Sequence, residues 1–303
     1  MSEVGVPPGW ALARVRHDGI QPLEVWNVRL TDHRLFWEVA GTPFVESQRQ
    51  HGVADVLVAR EIATAVADAA RHLHTMHRFE RLWIAGGLTS LAGFPAAALA
   101  ALASVAFEPR LSSSGAFAGE LGGRAILAAY GHTGGVVADV GQTSIKVSVF
   151  PSDMSEASRP ARILRARRLD ELPRRFIGAA PVTGAGARAA VQAAAPWIAE
   201  AILDALDAVV PRAVPPALVL ALPCPVDDDF TLGACTYGWA GDSSLVPRVA
   251  SALHAAGAFV SAASSVTTLV LNDAELAAAA APSDVRTLAL TLGFGPGAAL
   301  ITP

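Results

Sequence analysis

A short segment between two apolar runs holds the residue types best suited to binding a phosphate group. Gly141 lets the backbone approach an anion, and Thr143 and Ser144 offer hydroxyl and backbone donors to phosphate oxygens. Asp139, at the end of the first run, can hold a hydrated Mg²⁺ ion. Lys146, the only lysine of the chain, lies just beyond the turn. The alternative is an ordinary hairpin whose turn is polar.

A second segment with this character begins at Thr291. Gly293, Gly295 and Gly297 follow it at alternating positions, a spacing that exposes successive N–H groups and suits a polyphosphate. The alternative is a loop that needs glycine for positive φ angles.

Paired glycines also follow the apolar run Leu82–Ala85. Gly86 and Gly87 carry no side chains, so a flat adenine ring could lie directly against the backbone there. The alternative is the unremarkable end of a strand.

Asn272 and Asp273 come where an apolar run ends and a helical pattern begins. A carboxylate in that position can accept the proton of a substrate hydroxyl, which makes Asp273 a candidate general base. The alternative is a plain helix N-cap, the role for which asparagine and aspartate are most favoured.

Strands and helices alternate along the chain and must position these residues. A turn at His17-Asp18-Gly19 predicts a hairpin of the two N-terminal strands, and a second hairpin is expected around residues 141–144. Strands are predicted at 11–17, 20–30, 82–85, 136–140, 145–150, 161–168, 217–223 and 265–271, with a strand pair in 285–302; helices are predicted at 53–77, 95–104, 117–130, 187–210 and 244–256, with a short one after Asn272. This order indicates a layered α/β protein.

Composition excludes several classes of protein. Hydrophobic residues make up 52% of the 303 residues and charged ones 17%, so the chain is expected to fold around real cores. A net charge of −4 gives no electrostatic reason to expect a nucleic acid or an anionic membrane as partner. Two cysteines cannot build a disulfide framework, and no signal peptide is evident, so a cytoplasmic location is expected.

Taken together, these motifs resemble the ROK family of sugar kinases, within the actin/Hsp70/hexokinase superfamily. Asp139–Lys146 is similar to that family's phosphate-1 hairpin, Thr291–Gly297 to its phosphate-2 turn, Gly86-Gly87 to its adenosine loop, and Asn272-Asp273 to its catalytic Asn-Asp pair. Pro223-Cys-Pro-Val-Asp227 is similar to its Pro-Gly-Pro-Val-Asp stretch, and Tyr237–Gly241 falls where the family often carries a tryptophan. The resemblance implies nucleotide contacts from Gly86, Gly87, Gly141, Gln142, Thr143, Ser144, Lys146, Thr291, Gly293, Gly295 and Gly297, with Asp139 near Mg²⁺.

The motifs follow a different order from that of the family. The adenosine-like loop and a helix at 119–127 precede the phosphate-1 hairpin, which predicts a circular permutation joined through Gly131–Gly135. The permutation predicts that the strand at 9–17 pairs beside the one at 297–302. The implied fold is a two-lobed, actin-like (ribonuclease H-like) ATPase. A small lobe at 115–275 would hold the phosphate-1 hairpin and the Asn-Asp pair, and residues 1–114 with 276–303 would form the large lobe.

The same comparison suggests a sugar site. Where the family has Glu-x-Gly-His after the phosphate-2 turn, this sequence has Glu24-Val-Trp-Asn27. Glu24, Asn27 and Asn272 would then orient the polyol; for Glu24 the alternative is a solvent-facing strand residue. In the family, the histidine of this segment also ligates a structural zinc ion, and a cysteine-rich loop supplies further ligands. Because both are missing here, no structural zinc is expected.

The resemblance implies an ATP·Mg²⁺-dependent kinase that acts on a hydroxyl of a sugar or sugar-like polyol, with Asp273 as general base. A cyclitol or aminosugar kinase of secondary metabolism is a variant of this hypothesis. A non-catalytic sugar sensor is the alternative from another class; retention of Asp139 and Asp273 argues against it. The implied partner is a small-molecule substrate, without nucleic acid or membrane, and a homodimer is compatible with the family.

Overall fold

The computed structural model of the protein describes residues 5–16, 19–151, 161–166, 185–208, 216–234, 237–259 and 265–303. The protein is of the mixed α/β class, with 40% helix, 25% strand and two mixed sheets. The chain forms two compact units. Unit 1 comprises Met1–Arg16 and Gly123–Asp273, and unit 2 comprises His17–Gly122 and Ala274–Pro303.

The described part of the chain contains the following strands and helices. The strands are β1 (Trp10–Arg14), β2 (Ile20–Leu23), β3 (Arg81–Ala85), β4 (Glu108–Leu111), β5 (Gly135–Val140), β6 (Ser144–Phe150), β7 (Ala161–Ala166), β8 (Ala217–Leu222), β9 (Val266–Asn272), β10 (Thr287–Leu292) and β11 (Pro296–Ile301). The α-helices are α1 (Phe36–Val39), α2 (Thr42–Gln50), α3 (Asp55–His77), α4 (Phe94–Ala101), α5 (Ala118–Ala129), α6 (Ala185–Asp207), α7 (Leu245–Ala255) and α8 (Asp273–Ala278).

The sheet of unit 1 has the order β7-β6-β5-β8-β9-β1. Strands β5, β6 and β7 form an antiparallel meander, and β8, β9 and β1 continue from β5 in parallel. Strands β5 and β8 are buried along their whole length, as expected for apolar runs at the centre of a covered sheet. Helix α6 packs against β5, β6 and β7 and against helix α7, so the core of unit 1 lies between these helices and the sheet.

The sheet of unit 2 has the order β2-β11-β10-β3-β4. Strands β10, β11 and β2 are antiparallel neighbours, and β3 and β4 continue from β10 in parallel. The core on one side of this sheet is filled by the buried face of α3, with α4 packed against that helix. The two units therefore share a five-strand pattern: a three-stranded antiparallel meander with two parallel strands beside its first strand. Unit 1 adds β1 as a sixth strand beyond these.

Most predicted elements are found in the structure. The hairpin of β5 and β6, the third strand β7 within 161–166, and the hairpin of β10 and β11 all form as predicted. The long helix expected at 53–77 is α3. Residues 167–168 of the predicted third strand lie outside the described residues.

Two predictions for the N-terminal strands are wrong. Strands β1 and β2 form no hairpin, because β1 pairs with β9 in the first sheet and β2 pairs with β11 in the second. The strand beside β11 is therefore β2, not the predicted strand at 9–17. The glycine that suggested the hairpin, Gly19, has φ +88°, and a Cβ there would come within 2.5 Å of the carbonyl oxygen of Thr302. Close approach to this neighbour explains the glycine.

The units also differ from the predicted lobes. Met1–Arg16 belongs to unit 1 because β1 extends its sheet, whereas the predicted division put this segment in the other lobe. The boundary predicted at residue 115 falls after Gly122.

One helix in the described part of the chain, Gly186–Asp207, is long and apolar enough to cross a membrane by length and composition alone. It is the core helix α6 of unit 1, whose Val191, Ile198 and Ile202 are buried beneath the sheet.

Candidate functional site

The carboxyl ends of parallel strands bring Asp139 and Asp273 to one edge of the unit 1 sheet. Asp139 is the penultimate residue of β5, and Asp273 directly follows β9. Strand β8 lies between them, with Ala221 opposite Asp139. Two strand spacings put the backbones of β5 and β9 about 10 Å apart. Ligands of open α/β sheets bind at such an edge.

Lys146 is paired with Asp139 across the β5–β6 hairpin. The two residues are opposite each other in the strand register, and the Lys146 Nζ atom donates a hydrogen bond of 2.7 Å to Asp139 Oδ2. The side chains are 30% and 13% exposed, respectively. The charge of Asp139 is the main cause that raises the pKa of Lys146; burial lowers that pKa, and the hydrogen bond and the charge of Asp273 raise it further. The positive charge of Lys146 therefore interacts with both carboxylates, and most strongly with Asp139.

The turn between β5 and β6 is closed by its own backbone. The Gly141 N–H donates a 2.9 Å hydrogen bond to the Ser144 carbonyl oxygen, and a Cβ on Gly141 would lie 3.2 Å from that oxygen. Gly141 has no positive φ angle, so the tight approach of the Ser144 oxygen, and not the backbone conformation, is what favours glycine there. Gln142, Thr143 and Ser144 are all half-buried, at the rim of the sheet edge.

Tyr237, from the segment between β8 and α7, reaches this turn. Its hydroxyl lies 2.8 Å from the Gly141 carbonyl oxygen and 2.5 Å from that of Gln142, close enough to donate to either. The sequence did not predict this contact, because the two segments are far apart in the chain. The one clue was a tyrosine beside Trp239 in a conspicuous aromatic and glycine run.

Asn272 links the ends of two parallel strands. Its Nδ2 atom donates a 3.2 Å hydrogen bond to the Leu222 carbonyl oxygen at the end of β8. Helix α8 begins at Asp273, as the sequence predicted, and both residues are half-buried. The Asn-Asp pair is thus held at the same sheet edge as Asp139 and Lys146.

In unit 2, the two glycine segments lie side by side. Strands β3 and β10 are parallel neighbours, with Thr291 opposite Ala85, so Gly86 follows β3 where β10 ends. Gly86 has φ +102°, and a Cβ there would come within 2.2 Å of the Leu292 carbonyl oxygen. Only glycine fits this position. The predicted adenosine loop and phosphate-2 turn therefore share one edge of the unit 2 sheet.

Three glycines at this edge have no internal reason to be glycine. A Cβ on Gly87 or Gly295 would meet nothing within 4 Å, and one on Gly293 would meet only the Gly295 carbonyl oxygen, at 3.9 Å. None of the three has a positive φ angle, so the alternative of a loop that needs such angles is wrong here. Gly297 differs, because a Cβ there would lie 2.7 Å from Thr291 Oγ1.

The N-terminus of helix α2 abuts the same turn, a contact that sequence reasoning missed. The N–H and the hydroxyl of Thr42 each donate a 2.9 Å hydrogen bond to the Gly293 carbonyl oxygen. A Cβ on Gly41 would come within 2.4 Å of the Phe294 carbonyl oxygen. Gly41-Thr42-Pro43 does carry a helix-start signal, a proline in the first turn.

The predicted sugar contacts are divided between the units. Asn272 is in unit 1, whereas Glu24 and Asn27 belong to unit 2, where both are exposed in the segment after β2. For Glu24, exposure agrees with the solvent-facing alternative, although it lies just beyond the strand.

Among the described residues, no group of three or more His, Cys, Asp or Glu side chains could hold a metal ion. Mg²⁺ at phosphate-transfer sites is typically held by one or two carboxylates together with substrate phosphates and waters. Asp139, at the same sheet edge as Asp273 and separated from it by β8, fits a site of this kind.

No protein-family model and no curated protein matches this chain.

Proposed function

We propose that the protein is an ATP-dependent kinase that phosphorylates a hydroxyl group of a sugar or sugar-like polyol. The observation that carries this proposal is the convergence of Asp139, Lys146 and Asp273 at the carboxyl edge of the unit 1 sheet. Two carboxylates separated by one strand, with a cation that is hydrogen-bonded to one and feels the charge of the other, match the needs of phosphoryl transfer: a metal ligand, a phosphate contact and a base.

Each residue has a separate role in the proposed reaction. Asp139 holds the Mg²⁺ that accompanies the nucleotide, through water or directly, and Lys146 donates to a phosphate oxygen. Asp273 accepts the proton of the attacking hydroxyl while the γ-phosphoryl group moves in line. Asn272, fixed against the end of β8, orients the polyol beside Asp273. Mg²⁺ supplies charge neutralisation of the transferred group.

The topology of the two sheets supports an actin-like fold with permuted connectivity. Both sheets contain three antiparallel strands followed by two parallel ones, the strand order of ribonuclease H-like domains; the unit 1 sheet carries β1 as an additional edge strand beside β9. In unit 1 the five strands occur in the chain in that order, β5 to β9. In unit 2 the third strand of the meander, β2, comes first in the chain, and the first two, β10 and β11, come last.

The glycines of unit 2 are proposed to contact the nucleotide. Gly87, Gly293 and Gly295 leave bare backbone at one sheet edge, and no internal contact requires their lack of a side chain. Open space beside such a backbone lets a phosphate or a flat base approach it directly.

Replacing Gly293 by alanine should separate binding from stability. The new Cβ meets no atom closer than 3.9 Å, so the free energy of unfolding should stay equal or rise by about 0.5 kcal/mol through loss of unfolded-state entropy. The affinity for MgATP should fall by about tenfold, because the methyl group occupies the proposed approach path. Calorimetric titration and urea unfolding measure the two effects.

Gly5→Ala is the matched control, since Gly5 also has open space around its Cβ position and no positive φ. Its MgATP affinity should be unchanged. Unaltered MgATP binding by Gly293→Ala would remove the glycine turn from the nucleotide site.

The activity itself is tested by ADP release with a panel of sugars, aminosugars and cyclitols in the presence of MgATP. We expect one structural class of polyol to raise the rate of ADP release well above the rate with ATP alone. A sugar that raises the melting temperature without any turnover would indicate a sensor and overturn the kinase proposal.

A further inference from the structure

We infer that Tyr237 is a positioning residue, which turns the backbone N–H groups of Gln142 and Thr143 toward a bound phosphate group. This inference deepens the proposed function, because the phosphate would be that of the nucleotide. It assigns a role to a side chain outside every motif segment that suggested nucleotide binding.

The tyrosine hydroxyl holds two successive carbonyl groups of the turn. Its oxygen lies 2.8 Å from the Gly141 carbonyl oxygen and 2.5 Å from the Gln142 carbonyl oxygen. A phenol has one proton, so the two carbonyls share it or receive it in alternation. Either way, both carbonyl oxygens must face the buried side of the turn, where Tyr237 lies.

Peptide geometry then determines the direction of the N–H groups that share a peptide with these two carbonyls. In a trans peptide the C=O and N–H bonds point in opposite directions, and the described residues contain no cis peptide. The Gly141 carbonyl shares a peptide with the Gln142 N–H, and the Gln142 carbonyl shares one with the Thr143 N–H. Both N–H groups therefore point away from Tyr237. Two successive N–H groups on one side of a turn form a concave site for an anion.

The tyrosine is itself held rigidly. Its ring stacks on Trp239 with centroids 4.5 Å apart and an interplanar angle of 12°, and Trp239 is buried in the core of unit 1. The segment behind the rings is tied to the strand-end loop of β8, because Leu232 donates to the Asp242 carbonyl oxygen and Gly241 donates to that of Leu232. A fixed hydroxyl orients the turn before any ligand arrives, which lowers the entropic cost of binding.

The test uses Tyr237→Phe, which removes the hydroxyl and keeps the ring for stacking. Magnesium tripolyphosphate is the probe, because it carries the phosphate chain of ATP without base or sugar. Its affinity, measured by calorimetric titration, should fall by about five- to tenfold, the effect of one lost hydrogen bond. Tyr130→Phe is the matched control, because Tyr130 is the other of the two tyrosines of the chain and is 41% exposed. The affinity of this variant for magnesium tripolyphosphate should equal that of the wild type.

A second measurement does not depend on the variant. In the wild-type protein, tripolyphosphate should shift the amide resonances of Gln142 and Thr143, which a purely structural tyrosine does not require. Unchanged affinity in Tyr237→Phe, or unshifted amides in the wild type, would each overturn the inference. If the variant is destabilised, the wild-type amides still decide the question.

In steady-state kinetics, Tyr237→Phe should raise the KM for MgATP and leave the KM for the polyol unchanged. A general loss of folded protein would lower kcat without this split. If tripolyphosphate shifts the two amides but no polyol accepts a phosphoryl group from ATP, the kinase proposal fails and the role of Tyr237 stands.

Discussion

Under the proposed kinase mechanism, replacing Asp273 by asparagine should lower the turnover number by at least about a hundredfold, while the affinity for the proposed polyol substrate changes by less than about twofold. An amide has the size and shape of the carboxyl group, so the half-buried first position of α8 is filled as before. It cannot accept the proton of the attacking hydroxyl. The loss therefore falls on the chemical step. ADP release at saturating substrates and calorimetric titration of the polyol measure the two quantities.

Asp207→Asn provides a matched control for this variant. Asp207 is an exposed carboxylate at the end of α6 in the same unit, and its replacement should leave both rate and affinity unchanged. Wild-type turnover in Asp273→Asn would show that another group takes the proton.

Replacing Lys146 by methionine should lower the free energy of unfolding by about 3 kcal/mol. Methionine fills the space of the lysine stem but leaves the Asp139 carboxylate, with its side chain only 13% exposed, without its cation. The double variant Lys146→Met/Asp139→Leu should recover part of this loss, because it leaves no unpaired charge. Urea unfolding of the single and double variants measures the difference.

The exposed pair Arg16–Asp228 is the control for this comparison. Its side chains are 75% and 67% exposed, so Asp228→Asn should leave the free energy of unfolding nearly unchanged. If Lys146→Met and Asp228→Asn lowered the free energy of unfolding equally, the prediction that the partly buried Lys146–Asp139 pair matters more for stability would be wrong.

The pH dependence of stability follows from the same pair. The pKa of Lys146 is raised in the folded state, so its contribution is complete below the ordinary lysine pKa of about 10.4. That contribution is lost as the pH rises through the folded-state pKa. The stability difference between the wild type and Lys146→Met should therefore be constant across neutral pH and shrink above about pH 10. A difference that shrinks on acidification instead, between about pH 7 and pH 5, would contradict this assignment.

Local signals made the unit 1 site predictable. The β5–β6 hairpin is set by a glycine turn between two apolar strands, and that turn alone brings Lys146 opposite Asp139. Asp273 could be placed because the transition from an apolar strand to a helix is visible in the sequence. The carboxyl ends of β5 and β9 lie at the same edge of the sheet because both strands are parallel to β8, and this pairing is known only from the structure.

Contacts between distant segments were not predictable. Nothing within Trp10–Arg14 specifies β9 as its partner, since edge pairing in a parallel sheet depends on which apolar edge remains open. The approach of Thr42 to Gly293 and of Tyr237 to Gly141 likewise joins segments that no turn connects. The requirement for glycine at position 86 was likewise not predictable, because it comes from the Leu292 carbonyl oxygen, which would lie 2.2 Å from a Cβ there.

The strand order of unit 2 has a consequence for how the protein is made on the ribosome. Strands β2, β3 and β4 emerge early, but β10 and β11 lie between β2 and β3 in the sheet and are translated after the whole of Gly123–Asp273. Until then β2 lacks the neighbour that it has in the finished sheet, and the apolar face of α3 lacks the central strand that covers it. Strands β5 to β9, which follow one another in the chain, can therefore pair during synthesis. The sheet of β2, β3 and β4 stays incomplete until β10 and β11 have been translated. Chaperone demand and proteolytic sensitivity of the nascent protein should concentrate in residues 19–122.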